Sequence, residues 1–402
     1  MTRATPTSMT AMTGNSRRRD RQERQRAQRP AVTADLLAVL AGRLTGRDRW
    51  MMAMLAEHRV LTTTQLTALA FTGRREAERR LAALWAWRCV DRFRPQTALG
   101  GGSAPFHWVL DDAGAAVLAA GHGLTDAEFG YRRATALAIA HSQRLSHTVG
   151  TNTLLTALAT SRPATSAGAD PLGTGAGTDG HLMDGLPVAG RLVDWWGERR
   201  CAAAWGDLVR PDAAATWQTP STAAGTAAGG AAGVRSLAFA VEYDTGTETL
   251  ARVAAKLGDY ADLAAAAGQV LPVLFWLPSV ARESALHDHL DPTGLLVATA
   301  AADHAATAGG PIGLVWRPAA ALQRGRDGKR EVRRQRQTLD QLTASWAATD
   351  TLSIGGVDAE LGWPSPNPTP PRRPPGPADP DRADADRHDN TAGDGDGRSW
   401  GG

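Results

Sequence analysis

Of the 44 basic side chains in this sequence only two are lysines, Lys256 and Lys329, and the rest are arginine. Lysine is the cation whose pKa a protein can lower by burial, whereas arginine stays charged. Lys256 therefore has a claim to a chemical role. It lies in residues 236–260, SLAFAVEYDTGTETLARVAAKLGDY. The apolar run 237–241 predicts a buried strand. It ends in Glu242, Tyr243 and Asp244, and residues 245–247 make a turn. A helix follows, with Thr245 or Thr247 as its cap and Glu248 in its first turn. Leu250, Val253, Ala254 and Leu257 give that helix its apolar spacing, and Lys256 and Tyr260, four apart, share a face. Asp212 falls in a second predicted strand, 208–217. Two acids on neighbouring strands and a lysine on the next helix can hold Mg²⁺ or Mn²⁺ and position or activate water, as a metal-dependent phosphodiesterase requires. Asp212, Glu242, Asp244 and Lys256 are thus the candidate catalytic set, with Asp212 and Glu242 as metal ligands. In extended geometry Asp244 shares the face of Glu242, making a carboxylate trio. The plainer alternative is a surface lysine paired with Asp244 or Asp259 beside an ordinary strand-end turn.

The elements that must place these groups come from the rest of the chain. At 402 residues, 43% of them hydrophobic, there is room for two domains with extended ends. Aromatics are few, but 13 of them are tryptophan, so the cores rest on Ala, Leu and Trp. The net charge of +3 hides a polarity: an Arg-rich arm at 1–30 and a mixed Pro/Asp tail at 351–402. The arm suits nucleic acid or a plain disordered leader; the tail reads as disordered. Cys89 and Cys201 are far apart and in no CxxC, which argues against zinc or a disulfide framework and fits a reducing cytoplasm. No apolar run approaches the roughly 18 residues of a membrane span, and no apolar segment after the basic arm suggests a signal peptide.

Residues 31–122 predict a DNA-binding unit. A helix at 31–44 precedes a helix at 47–59. Then come a capping-box spacing at Thr62–Gln65, a short helix, a turn with Gly73 and a longer helix at 74–88. Two strands, 89–94 and 106–110, flank a Gly-rich tip, and a last helix is capped by Asp111 or Asp112. This is the order of a winged helix-turn-helix. Arg74, Arg75, Arg79 and Arg80 at the start of the longer helix would contact DNA phosphates; the alternative is a helical interaction module with a solvated arginine face. Residues 121–135 link to a second part. There, a long amphipathic helix or helix pair at 134–159 carries His141 and His147, read as packing or surface histidines. Residues 160–187 and 218–234 read as insertions. Strands alternating with helices over 134–320 predict an α/β or mixed-sheet domain. A second basic cluster, 324–336, lies in an expected basic helical segment, 321–350.

With RDRWMMAMLAEHRVLTTTQL, RPDAAATW and FAVEYDTGTETLARVAAKLGDYADL in view, the chain resembles the replication-relaxation family of GC-rich Gram-positive bacteria and their plasmids, over roughly residues 45–320. The second half also resembles a PD-(D/E)XK restriction-endonuclease-like core. Pro211–Asp212 would be its PD and Glu242 its next acidic residue. The usual lysine two positions on is Asp244 here, so Lys256 on the following helix would take its place. The resemblance implies an α+β chain, a winged helix-turn-helix followed by a mixed-sheet nuclease-like domain. It also implies a cytoplasmic plasmid or mobile-replicon protein that binds double-stranded DNA in replication, relaxation or transfer, with no membrane partner, and with a second copy or replication or transfer proteins as partners. The alternative is a Mg²⁺-dependent nuclease that nicks or cleaves DNA.

Overall fold

Two threonine-led capping boxes set the register of the first helices. Thr45 and Asp48 cap helix α2 (Gly46–His58), which follows α1 (Ala34–Arg43). Thr62 and Gln65 cap α3 (Thr63–Ala70) at the spacing the sequence suggested: the Thr62 amide donates to Gln65 Oε1 at 2.7 Å and the Gln65 amide to Thr62 Oγ1 at 3.2 Å. Gly73 then opens α4 (Arg74–Ala86). Strand β1 (Leu61–Thr62), β2 (Val90–Phe93) and β3 (His107–Leu110) form a small antiparallel sheet in the order β1-β3-β2, and α5 (Asp112–Gly121) follows, capped by Asp111. The computed structural model describes residues 30–95, 104–161, 190–220, 233–319, 335–354, 361 and 363–371. The basic arm to residue 29, the ribbon tip 96–103, the insertions 162–187 and 221–232, the cluster 324–334 and the tail beyond 371 lie outside the described residues.

The segment 121–135 is built into the fold. It contains α6 (Asp126–Phe129), with Phe129 buried, and Tyr131, whose hydroxyl donates to the Leu110 carbonyl at 2.7 Å. After α7 (Arg133–Ala138) comes α8 (Leu145–Thr160). The second sheet has six strands in sequence order: β4 (Arg191–Gly197), β5 (Ala213–Pro220), β6 (Val234–Tyr243), β7 (Val273–Leu277), β8 (Val297–Ala301) and β9 (Arg317–Pro318). The β4-β5-β6 and β8-β9 pairs are antiparallel and β6-β7-β8 are parallel. Parallel pairs need crossovers, supplied by α10 (Leu250–Ala267) and α11 (Val280–His287), while α9 (Glu198–Trp205) joins β4 to β5. The chain is α+β.

Alternation along the strands sorts the core. Trp195, Ala215, Trp217, Phe239, Val241, Leu274 and Trp276 pack in one cluster with Met51, Leu55 and Leu155 of α2 and α8. Trp196, Ala214, Ala240, Val273 and Phe275 face the other way, onto Val253, Leu257 and Leu263 of α10. Both faces are covered, which is why the central strands read as unbroken apolar runs. The first cluster joins the two parts of the molecule, and a buried ion pair crosses the same seam: Arg200 on α9 donates twice to Glu57 on α2, at 2.9 and 3.1 Å.

Four expectations need correction. Strand β5 starts at Ala213, so Asp212 stands just before it; the 205–209 turn and Pro211, which has no amide hydrogen, hold the preceding residues off the sheet. Helix α10 starts at Leu250 with Thr249 as cap, because Asp244 and Arg282 hold residues 244–248 in a separate turn. In the described part of the basic segment, from residue 335 on, the helix is α13 (Leu339–Ser345), after α12 (Ala302–Thr307); Arg336, upstream of it, is ion-paired to the fully buried Glu283 and is no free cation. The expected disordered tail is packed where it is described. Ile354 and Trp363 are buried, and the Trp50 indole donates to the Asn367 carbonyl at 2.6 Å.

Candidate functional site

Strand parity carries Glu242 to the face covered by α10. There Lys256 Nζ donates to Glu242 Oε2 at 2.5 Å and the Tyr260 hydroxyl to Glu242 Oε1 at 2.6 Å. The shared helix face thus lands on one carboxylate. Asp212 arrives beside it because Ala213 pairs with Val241, the residue before Glu242. The Tyr243 amide donates to Asp212 Oδ2 at 2.8 Å. The structure therefore brings Asp212, Glu242 and Lys256 together at the C-terminal end of β6, in a cleft of about 790 Å³. Lys256 keeps 34% of its side chain exposed and so is reachable from solvent. Its expected alternatives, Asp244 and Asp259, are not its partners.

Asp244 does not join the trio. Strand β6 ends at Tyr243, and the next residue folds into a turn where Asp244 Oδ1 accepts from the Gly246 amide at 2.8 Å. Gly246 sits at φ 84°, the left-handed region glycine tolerates. Arg282 on α11 forms an ion pair with Asp244 and donates to the Glu248 carbonyl at 2.6 Å. Asp244 locks the loop. Among the described residues no group of three or more His, Cys, Asp or Glu side chains is arranged to hold a metal ion.

A residue read as packing or surface enters instead. His147 on α8 places Nε2 3.1 Å from Asp212 Oδ2 and meets the Tyr243 ring edge-on at 5.7 Å. Gly150, one turn further on, lets α8 come this close, since a Cβ there would lie 2.4 Å from the Tyr243 ring. His141 is exposed, as a surface histidine. Nothing local marks His147: it comes from an element well upstream, and its partner is fixed only by packing.

The electrostatics follow from two carboxylates and one lysine in a buried place. Burial and the charge of Asp212 push Glu242 up to about 7, against the opposing pull of Lys256 and the two hydrogen bonds. Burial works against the Lys256 cation, yet Glu242 and Asp212 outweigh it and raise its pKa. The cause is shared: two carboxylates face one lysine, which favours the lysine cation and disfavours a second negative charge on Glu242. Burial also disfavours the His147 cation, but the bond and charge of Asp212 raise its pKa overall.

The arginines on α4 divide. Arg80 is tied to the fully buried Asp48, with Nε donating to Oδ1 at 2.7 Å, and stacks 5.3 Å from the Trp87 ring. Arg74 is exposed and paired with Glu78 at 2.8 Å. Arg75 and Arg79 are exposed, with no ion pair recorded to any described residue. On the ribbon, Arg92 and Arg94 stack over Phe106 at 4.2 and 3.8 Å.

A family model described as replication-relaxation matches residues 52–274, more than half of the chain. The span runs from α2 into β7 and contains His147, Asp212, Glu242, Lys256 and the α4 arginines. Comparison with curated proteins and with solved structures gives no match.

Proposed function

The chain belongs to the replication-relaxation family, and from that premise we propose a DNA-binding protein acting in the replication, relaxation or transfer of a plasmid or mobile replicon. The observation that carries this reading is the pair of exposed arginines, Arg75 and Arg79, at the start of α4, which form no ion pair with any described residue. They stand in an order of helix, short strand, helix, turn, helix and two-stranded ribbon, which is that of a winged helix. In this reading α4 enters the major groove, Arg75 and Arg79 hold phosphates, and Arg80 positions the helix through Asp48. The test is a gel-shift titration of duplex DNA across salt. Arg75→Ala with Arg79→Ala should weaken binding and reduce the salt slope by about two, one for each lost phosphate contact. An unchanged slope would leave these arginines as a solvated face.

A second reading is supported by the convergence of Asp212, Glu242 and Lys256 in a cleft: a metal-dependent nuclease of PD-(D/E)XK type, with the lysine supplied by α10. Magnesium suits one or two carboxylates, with water and phosphate oxygens completing its shell. Asp212 and Glu242 would hold it: Asp212 Oδ2 is taken by the Tyr243 amide and His147, but Oδ1 accepts from no described residue, and each Glu242 oxygen accepts one bond and keeps a second lone pair. The ion would polarise a phosphodiester and lower the pKa of water. Lys256 would fix the charge of Glu242 and offer an ammonium to a phosphate, and Tyr260 would hold the other Glu242 oxygen in place. Supercoiled plasmid incubated with and without Mg²⁺ or Mn²⁺ separates the readings. Metal-dependent nicking that Glu242→Ala abolishes supports the nuclease. Binding without nicking, and no metal uptake by calorimetry, leaves the first reading alone.

A further inference from the structure

Helix α8 touches both the reading helices and the cleft. On one side Gln65, the N3 residue of the α3 capping box, donates to the Val149 carbonyl at 3.1 Å and to Thr153 Oγ1 at 2.9 Å. The buried Asn152 amide donates to the carbonyls of His58 and Val60, at 3.2 and 2.7 Å, where α2 ends. On the other side His147 reaches Asp212, and Gly150 lies against Tyr243, whose amide holds the same Asp212 oxygen. These residues lie within about two turns of one helix. A helix is stiff along its axis, so a shift of α3 relative to the six-stranded sheet must be felt at Asp212.

We propose that His147 is a positioning residue: it holds Asp212 in register beside Glu242, and through α8 it makes that register depend on the state of the helices that engage DNA. The coupling half of this statement rests on the DNA-binding reading; the positioning half does not. His147 orients a carboxylate through a directed bond. A side chain with an N–H donor of similar reach can replace it, and one without a donor cannot. Gly150 sets the distance at which this bond is made, since any larger residue pushes α8 away from Tyr243.

The Tyr243 amide reports the position of Asp212 directly, because Asp212 Oδ2 is its acceptor. Hydrogen exchange of the full chain, read at Tyr243 with β7 as internal control, tests the proposal. Loss of one hydrogen-bonded partner should speed exchange at Tyr243 about tenfold in His147→Ala. Gly150→Ala should do the same, and His147→Gln should return most of the protection. Adding duplex DNA should slow exchange at Tyr243 in the unaltered protein and in His147→Gln, but not in His147→Ala. Equal exchange in His147→Ala and the unaltered protein, or no rescue by glutamine, overturns the positioning role. Duplex that binds without altering Tyr243 exchange overturns the coupling. Failure of the protein to bind duplex at all overturns the coupling together with the DNA-binding reading, and leaves the positioning test, made without DNA, to stand or fall separately.

Discussion

A proton is the cheapest neutraliser for the surplus charge around Glu242. Its pKa in the fold, raised by burial and by Asp212 to about 7, lies above the ordinary 4.5. The folded state therefore binds more protons than the unfolded chain between those values. Stability from this group is present below the unfolded pKa and is lost as pH rises through the folded one. Glu242→Gln keeps a side chain able to accept from Lys256 or Tyr260 but cannot ionise. Comparing the variant with the unaltered protein by urea unfolding from pH 4.5 to 8 isolates the effect. The variant should lose the downward trend, with a difference of no more than about 3 kcal/mol across the window. Identical pH slopes would mean that the proton is elsewhere. His58 works with the opposite sign. It is buried, stacked 3.9 Å from Trp195, and desolvation, helped by the Arg200 charge, lowers its pKa to about 3. Its contribution is present above the unfolded pKa of about 6.5 and is lost as pH falls towards 3. His58→Phe should shift the acid-unfolding midpoint to lower pH; an unmoved midpoint would clear His58 of any part in acid unfolding.

At the scale of elements, local sequence rules held where the partners were near in the chain. Thr62 and Gln65 met because a capping box spans three residues, and Thr62→Ala should cost about 1 kcal/mol in urea unfolding through the lost cap. No loss would mean the helix start is fixed by Gln65 and packing alone. Lys256 and Tyr260 met on Glu242 for a similar reason: spacing by four fixes a helix face, and a strand-turn-helix brings that face back over the strand. Asp212 was placed beside Glu242 correctly as to strand end, though one residue outside its strand. What failed involved partners distant in sequence. Extended geometry was carried past the end of β6, so Asp244 was expected on the face of Glu242; it lines the same cleft, but Arg282, from α11, holds it in the loop. His147 was missed because nothing near it in the chain resembles a ligand spacing. The four α4 arginines look alike in sequence, and only the fold separates Arg80, tied to Asp48 of α2, from Arg75 and Arg79.

On the scale of the whole molecule, the seam between the two parts is closed by residues that composition marks as unstructured. Residues 363–370 are rich in proline, and proline-rich polar sequence rarely forms a core by itself. Here the surface is supplied from elsewhere. Trp363 packs against the Phe129 ring at 4.7 Å and under Arg199 at 5.1 Å, and its carbonyl accepts from Arg200 Nη2 at 3.2 Å. Ser365 donates to the Trp195 carbonyl at 3.2 Å, and Asn367 accepts from Trp50. The segment thus touches α2, α6, α9 and β4, and it backs the buried Glu57–Arg200 pair, whose charges are tolerable only while fully bonded and shielded. Trp363→Ala should cost about 3 kcal/mol, the cost of truncating a large buried aromatic, with the backbone bonds of the segment retained. A chain ending at residue 360 should lose more, because the Arg200 and Trp50 donors then face solvent or go unpaired. A chain ending at residue 371, which keeps the segment, is the reference for this loss. If the chain ending at 360 is as stable as the one ending at 371, the segment merely rests on the surface, and the seam is held by α2, α8 and the sheet alone.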